Sequence, residues 1–194
     1  MPLHNELWFP SPIWSGKFFN VDNEDIENFS SALRQRTSGV IKSNYGGWQS
    51  DSIGRGHSVG IDTLVDNLDR EIYEICKQTS LPQLEIYNIW INVNPKNCFN
   101  IQHDHIGAVF TGVYYVKAKE GNGNIRFERP DNARFFLPDL TENQKQNYFN
   151  TQMCEYKSIT NAIYIFPGWL PHSVEPNLIN EDRISVSFNY GVKR

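Results

Sequence analysis

Tyr87-Asn88-Ile89-Trp90-Ile91-Asn92-Val93-Asn94 is the stretch at which the chain changes its repeat. The odd positions (Tyr87, Ile89, Ile91, Val93) are largely apolar and the even ones (Asn88, Trp90, Asn92, Asn94) mostly polar, the period of a strand. Upstream the period is 3.6. Ile61, Leu64, Val65, Leu68, Ile72, Ile75 and Cys76 form one apolar stripe, which predicts a helix over 61–78 that ends before Pro82. A shorter helix is predicted over 23–36, capped by Asn23, with Glu24, Asp25 and Glu27 at its positive dipole end and Ile26, Phe29 and Leu33 on one face. Downstream, strands are predicted at 109–116, 123–128, 162–166 and 183–190, between turns rich in Gly, Pro, Asn and Asp. Helices first and short strands afterwards, without β-α alternation, indicate a mainly β, α+β architecture. The strands would close into an antiparallel sandwich or barrel with the helices on one face.

The flanking regions are less regular. Residues 1–20 alternate aromatics with prolines (Leu7-Trp8-Phe9-Pro10, Pro12-Ile13-Trp14) and read as an extended lead-in. Gly46-Gly47-Trp48-Gln49-Ser50 and Gly54-Arg55-Gly56 read as loops, and 129–157 as a long polar insertion of the kind that serves function. The Gly46–Arg55 loop and the 129–157 insertion are therefore the candidate lids. At 194 residues a single domain is expected, with 1–82 packing on a barrel formed by 83–192.

A net charge of −4 gives no general attraction to nucleic acid or anionic membrane. No apolar run reaches membrane-spanning length, and MPLHNELWFPSPIW lacks the basic and apolar regions of a signal peptide. Cys76, Cys98 and Cys154 form no CxxC pair, which suits reduced thiols and a cytoplasmic protein.

Of five histidines, His4 and His57 read as ordinary surface or core residues. His103 and His105 differ because two positions apart on a strand their rings leave the same face and can converge. Asp104 would point away unless a bulge turns it inward, so His105 or Asp104 stands as the second ligand from this segment. His172, in Gly168-Trp169-Leu170-Pro171-His172, is suited to complete a facial set of three with open positions. Eleven residues later come Arg183 and Ser185, on one strand face. An Arg buried in a barrel mouth needs an anion, and its planar fork matches a carboxylate. The plainer alternative for Arg183 is an ion pair with Glu181 or Asp182. Tyr114 reads as packing, since Tyr115 takes the opposite face.

Several of these segments, in this order, resemble the prolyl-4-hydroxylase-like branch of the 2-oxoglutarate/Fe(II) oxygenases. They are Gln102-His103-Asp104-His105, Thr111-Gly112-Val113-Tyr114-Tyr115-Val116, Gly123-Asn124-Ile125-Arg126-Phe127, Pro171-His172-Ser173-Val174-Glu175-Pro176 and Arg183-Ile184-Ser185. Phe9-Pro10-Ser11-Pro12-Ile13-Trp14 and Gly46-Gly47-Trp48-Gln49-Ser50 extend the likeness to a His-x-His subgroup of marine bacteria and their phages. The resemblance implies a double-stranded β-helix (jelly roll, cupin-like), with Fe(II), 2-oxoglutarate and O2. It implies iron on His103 and His172, with His105 where most of the superfamily has Asp. Tyr115 and Arg183 would hold the distal carboxylate of 2-oxoglutarate, with Ser185 a weaker candidate. Asn92 or Asn94 would donate to the cosubstrate or hold an iron-bound water.

The activity so implied is a hydroxylase-type oxidation coupled to decarboxylation of 2-oxoglutarate to succinate and CO2. Its substrate would be a small molecule or an amino-acid or protein side chain, and a homodimer is compatible with it. The competing expectation is a cupin-like three-His metal dioxygenase, or a metal-dependent small-molecule binding protein, that does not use 2-oxoglutarate. Arg183 discriminates, because a three-His dioxygenase has no use for it.

Overall fold

The computed structural model describes residues 3, 4, 6, 8–139 and 145–192; Leu7 of the lead-in and 140–144 of the insertion lie outside them. In chain order the elements are β1 (Trp14–Lys17), α1 (Asn23–Arg36), β2 (Asn44–Tyr45), β3 (Trp48–Gln49), α2 (Val59–Thr79) and β4 (Glu85–Asn94). There follow β5 (Phe99–His103), β6 (Phe110–Lys117), β7 (Ile125–Glu128), a 3-10 turn (Asn132–Phe135), β8 (Met153–Tyr156), β9 (Ala162–Pro167), β10 (His172–Val174) and β11 (Arg183–Gly191).

Both helices form where the apolar stripes predict them, with small differences at their ends. Asp22, not Asn23, caps α1 by accepting from the Asp25 N–H. Asn23 instead turns toward the sheet, where it accepts from the Tyr114 hydroxyl at 2.9 Å. α2 begins two residues earlier than expected because Ser58 caps it and accepts from the Ile61 N–H. Asp25 holds the two helix starts together by accepting from Ser58 Oγ and the Gly60 N–H. Burial raises the Tyr114 phenol to about 12.

The strands form two antiparallel sheets, β1-β9-β6-β11-β4-β3 and β2-β5-β10-β7-β8. The eight strands from β4 to β11 divide evenly between them, which makes a double-stranded β-helix. Alternation explains how the six-stranded sheet serves two cores. On β11, Ile184, Val186, Phe188 and Tyr190 face the helices, where they meet Ile61, Leu64, Leu68 and Ile72 of α2. On β6, Tyr114 and Val116 join that core, whereas Val113 and Tyr115 join a second core between the sheets with Ile125, Phe127 and Phe166. Leu68 is wholly buried, so truncating it to Ala would cost about 2–5 kcal/mol.

Tyr87, the first of the odd positions in that stretch, is exposed near the outer end of β4, whereas Ile89, Ile91 and Val93 are buried. Cys76, Cys98 and Cys154 are free thiols. No helix among the described residues is long and apolar enough to cross a membrane.

Candidate active site

Between the sheets lies a small pocket. One wall is a polar ladder created by the period-2 pattern. β11 contributes Arg183, Ser185 and Ser187, and antiparallel register sets Arg183 opposite Asn94, Ser185 opposite Asn92 and Ser187 opposite Trp90.

His103, His105 and His172 converge at one end, each offering a nitrogen within 4.8 Å of the others. Pairing of β10 with β5 puts His172 directly across from His103, and their ring centroids are 4.3 Å apart. The convergence of His105 has a different cause from the one expected. β5 ends at His103, and the following turn brings His105 inward, its N–H donating to the Gly168 carbonyl at 2.8 Å. A side chain at Gly168 would strike the Ala108 carbonyl, so the turn depends on this glycine. Asp104 is exposed and outside the cluster.

Each ring is oriented. Nδ1 of His103 is 2.7 Å from the Ile101 carbonyl and Nδ1 of His172 is 3.0 Å from that of Leu170. A carbonyl can only accept, so each Nδ1 carries the proton and Nε2 keeps its lone pair. His105 stacks on Trp90 at 5.7 Å and lies within reach of the Asn189 side chain. Burial depresses all three imidazole pKa values: His103 falls below its ordinary value, His105 to about 4, and His172 well below. Three neutral, oriented, converging imidazoles are a suitable donor set for a divalent transition metal.

The other end is built for an anion. Arg183 is 1% exposed. Its Nη1 donates to the carbonyls of Asn122 and Glu175, while Nη2 is buried without a partner. Glu181 and Asp182, the plainer partners, pair instead with Lys119 and Arg34. Tyr115, also fully buried, has an unpartnered hydroxyl; burial raises its pKa while the Arg183 charge pulls the other way. Asn177, wholly buried, donates to the carbonyls of Asn94 and Glu181 and accepts from Asn122, tying together the loops that grip Arg183. Unmet buried donors are costly, so orphaned groups on Arg183 and Tyr115 fit a carboxylate ligand.

Ser185 lines the pocket beside them. Asn92 lines it too, donating to Ser187 Oγ and leaving Oδ1 unpartnered. Asn94 is buried, with Nδ2 unpartnered, but it is not among the pocket-lining residues. Among the described residues, none of the Gly46–Arg55 loop or the 129–157 insertion, the expected lids, is part of the lining. Described residues of the insertion instead form a separate cleft with residues 8–13 of the lead-in. His4 and His57 lie elsewhere on the surface.

Sequence reasoning missed Asn189, Ser187, Asn122 and Asn177. The first two continue the Arg183 alternation and were within reach of a periodicity argument; the loop asparagines carried no comparable signal.

Comparison with known proteins agrees with this arrangement. Residues 88–189, more than half of the chain, match a family model described as "Putative 2OG-Fe(II) oxygenase". No curated protein matches the chain. Among solved structures, a Pseudomonas putida prolyl-4-hydroxylase is similar at a TM-score of 0.65 and 14% identity, covering 95% of this chain and 94% of that one. The viral collagen prolyl hydroxylase of Paramecium Bursaria Chlorella virus-1, solved as a 2OG complex, is similar at 0.60 and 13%, covering 93% and 96%. HygX from Streptomyces hygroscopicus, solved with nickel and 2-oxoglutarate, is similar at 0.62 and 12%, covering 93% and 83%. At such identities the structural likeness speaks for the fold, and the family match speaks for the chemistry. The chain belongs to the 2OG-Fe(II) oxygenases, and its cofactors are Fe(II), 2-oxoglutarate and O2.

Proposed function

We propose that this chain is a hydroxylase-type oxygenase whose iron is held by Nε2 of His103 and His172 and by the His105 ring. Arg183 Nη2 and the Tyr115 hydroxyl would bind the distal carboxylate of 2-oxoglutarate. The observation that carries the reading is the pairing, in one pocket, of three converging imidazoles with two buried, unpartnered donors.

When bound, the metal and cosubstrate supply an oxidant from O2, with 2-oxoglutarate leaving as succinate and CO2. The chain's own part is positioning and exclusion. The Ile101 and Leu170 carbonyls hold two ring tautomers so that no proton need leave as the metal arrives. Trp90 and Phe166 wall the His105 and His172 rings. Asn92, which lines the pocket with its Oδ1 unpartnered, would take a hydrogen bond from a metal-bound water or a substrate donor. No carboxylate lines the pocket among the described residues. Charge balance at the metal therefore falls to the carboxylate at the 2-oxo end of 2-oxoglutarate, the distal one being paired with Arg183, and this would make cosubstrate and metal binding mutually reinforcing.

The substrate class supported is a small molecule or an amino-acid or protein side chain. Incubation with Fe(II), ascorbate and 2-oxoglutarate should release succinate, at least slowly, without added substrate. Absence of succinate under all substrate conditions would overturn the hydroxylase reading. A three-His dioxygenase independent of 2-oxoglutarate would instead leave ligand binding unchanged in Arg183→Ala.

A further inference from the structure

A third buried side chain without a partner lies in the turn packed against the strand that carries Tyr115. Ser158 is 3% exposed and its Oγ makes no hydrogen bond. It follows β8, past the end of the insertion, and is locked in place by the strand that carries Tyr115. The Asn161 N–H donates to the Tyr115 carbonyl at 2.8 Å and the Thr160 N–H to the Ala118 carbonyl at 2.9 Å. Thr160 Oγ1 both accepts from the Ala118 N–H and donates to the Ala118 carbonyl. On the near side, the Tyr164 hydroxyl donates to the Lys157 carbonyl at 2.8 Å. A five-residue turn pinned at this many points presents Ser158 at a fixed place.

Its hydroxyl is near that of Tyr115, close enough to ease the burial-driven rise of the phenol pKa, though the two make no aligned hydrogen bond. A phenol oxygen can accept one hydrogen bond while donating another. A serine that only filled space would be replaced without loss by alanine, and leaving a hydroxyl unmet in such a site is unfavourable.

We propose that Ser158 is a positioning residue for the cosubstrate: its hydroxyl donates to the Tyr115 oxygen and turns the Tyr115 proton toward the carboxylate gripped by Arg183. The inference rests on the reading of Arg183 and Tyr115 as cosubstrate ligands. It predicts that Ser158 matters to ligands carrying a distal carboxylate and not to ligands that touch the metal alone.

The test is calorimetry on Mn(II)-loaded protein with two probes, 2-oxoglutarate and oxalate, the latter chelating the metal without a distal carboxylate. Ser158→Ala should weaken 2-oxoglutarate by about tenfold, the worth of one strengthened hydrogen bond, and leave oxalate within twofold of wild type. Ser158→Thr, which keeps the hydroxyl, should restore most of the affinity. Unchanged 2-oxoglutarate affinity in Ser158→Ala, or a parallel fall for oxalate, would overturn the role. Arg183→Ala separates the two layers. If it weakens 2-oxoglutarate while Ser158→Ala does not, only the Ser158 role fails. If it also leaves affinity unchanged, the cosubstrate reading itself fails.

Discussion

At the histidine end of the pocket two imidazoles are oriented by backbone carbonyls and the third stacks on Trp90, whereas at the arginine end Nη2 of Arg183 and the hydroxyl of Tyr115 are left over. At the histidine end the groups left over are acceptors, the ring lone pairs and the side-chain oxygens of Asn92 and Asn189, so no buried donor is unmet there. At the arginine end, each unmet group costs on the order of 1–3 kcal/mol in the free protein. The first arrangement waits for a metal without strain, and the second gains by taking up a dianion. Ligands at the two ends should therefore leave different marks on stability and on mutants.

The largest effect should come from the histidine end. His172→Ala removes the most buried of the three rings and leaves two. Co(II) or Mn(II) affinity should fall by more than about 100-fold, beyond what loss of a ligand's outer partner costs, and succinate formation should cease. Spectroscopic titration with Co(II) would show it, and an undiminished d–d band would remove His172 from the metal site.

Breaking the arginine end should spare the metal. Arg183→Ala should lower 2-oxoglutarate affinity roughly 10- to 100-fold, as expected for hydrogen bonds to a charged group, with Co(II) binding unchanged. In wild type, Mn(II) with 2-oxoglutarate at about 100 times its Kd should raise Tm by roughly 5–10 °C. The variant should lose most of that rise under the same conditions. A full thermal shift in Arg183→Ala would mean that the orphaned donors are not where the cosubstrate binds.

Acid should also distinguish the ends. The folded-state pKa values of His103, His105 and His172 lie below the ordinary 6.5, so between those values and 6.5 the unfolded chain binds more protons. Stability of metal-free protein is therefore complete above about pH 6.5 and falls as pH drops toward the His105 value of about 4. The slope is at most about 1.4 kcal/mol per pH unit for each ring. Denaturant midpoints across pH 4–7 would measure it, and the slope should shrink in His105→Ala. Arg183 does not titrate there, so Arg183→Ala should leave the slope as it is.

The contrast also explains what could be read from the chain beforehand. Alternation is a local property, and it revealed the β4 and β11 faces, hence Asn92, Arg183 and Ser185. It could not reveal β1, β2, β3 or β10, which are two to four residues long and exist only because longer strands offer an edge to pair with. The Asn122–Asn177 clamp and Ser158 escaped for the same reason: the clamp joins loops 55 residues apart in the chain, and the Ser158 turn is pinned by contacts 42 residues apart. Parity placed His105 beside His103 and His172, where its ring does lie, but by another route, since β5 stops at His103 and a turn over Gly168 completes the approach.

That last difference gives the smallest predicted effect and the finest test of the histidine end. Had β5 continued through Asp104 with a bulge, the carboxylate could have been the metal's third ligand. With the strand ending at His103, Asp104 is exposed and makes no approach to the cluster. Asp104→Ala should then change Co(II) affinity less than twofold and stability by no more than about 0.5 kcal/mol, as for a surface substitution. His105→Ala, one position away, should cost the metal dearly. A reversal, with Asp104→Ala losing metal and His105→Ala keeping it, would show that the turn rearranges to deliver a carboxylate when iron binds.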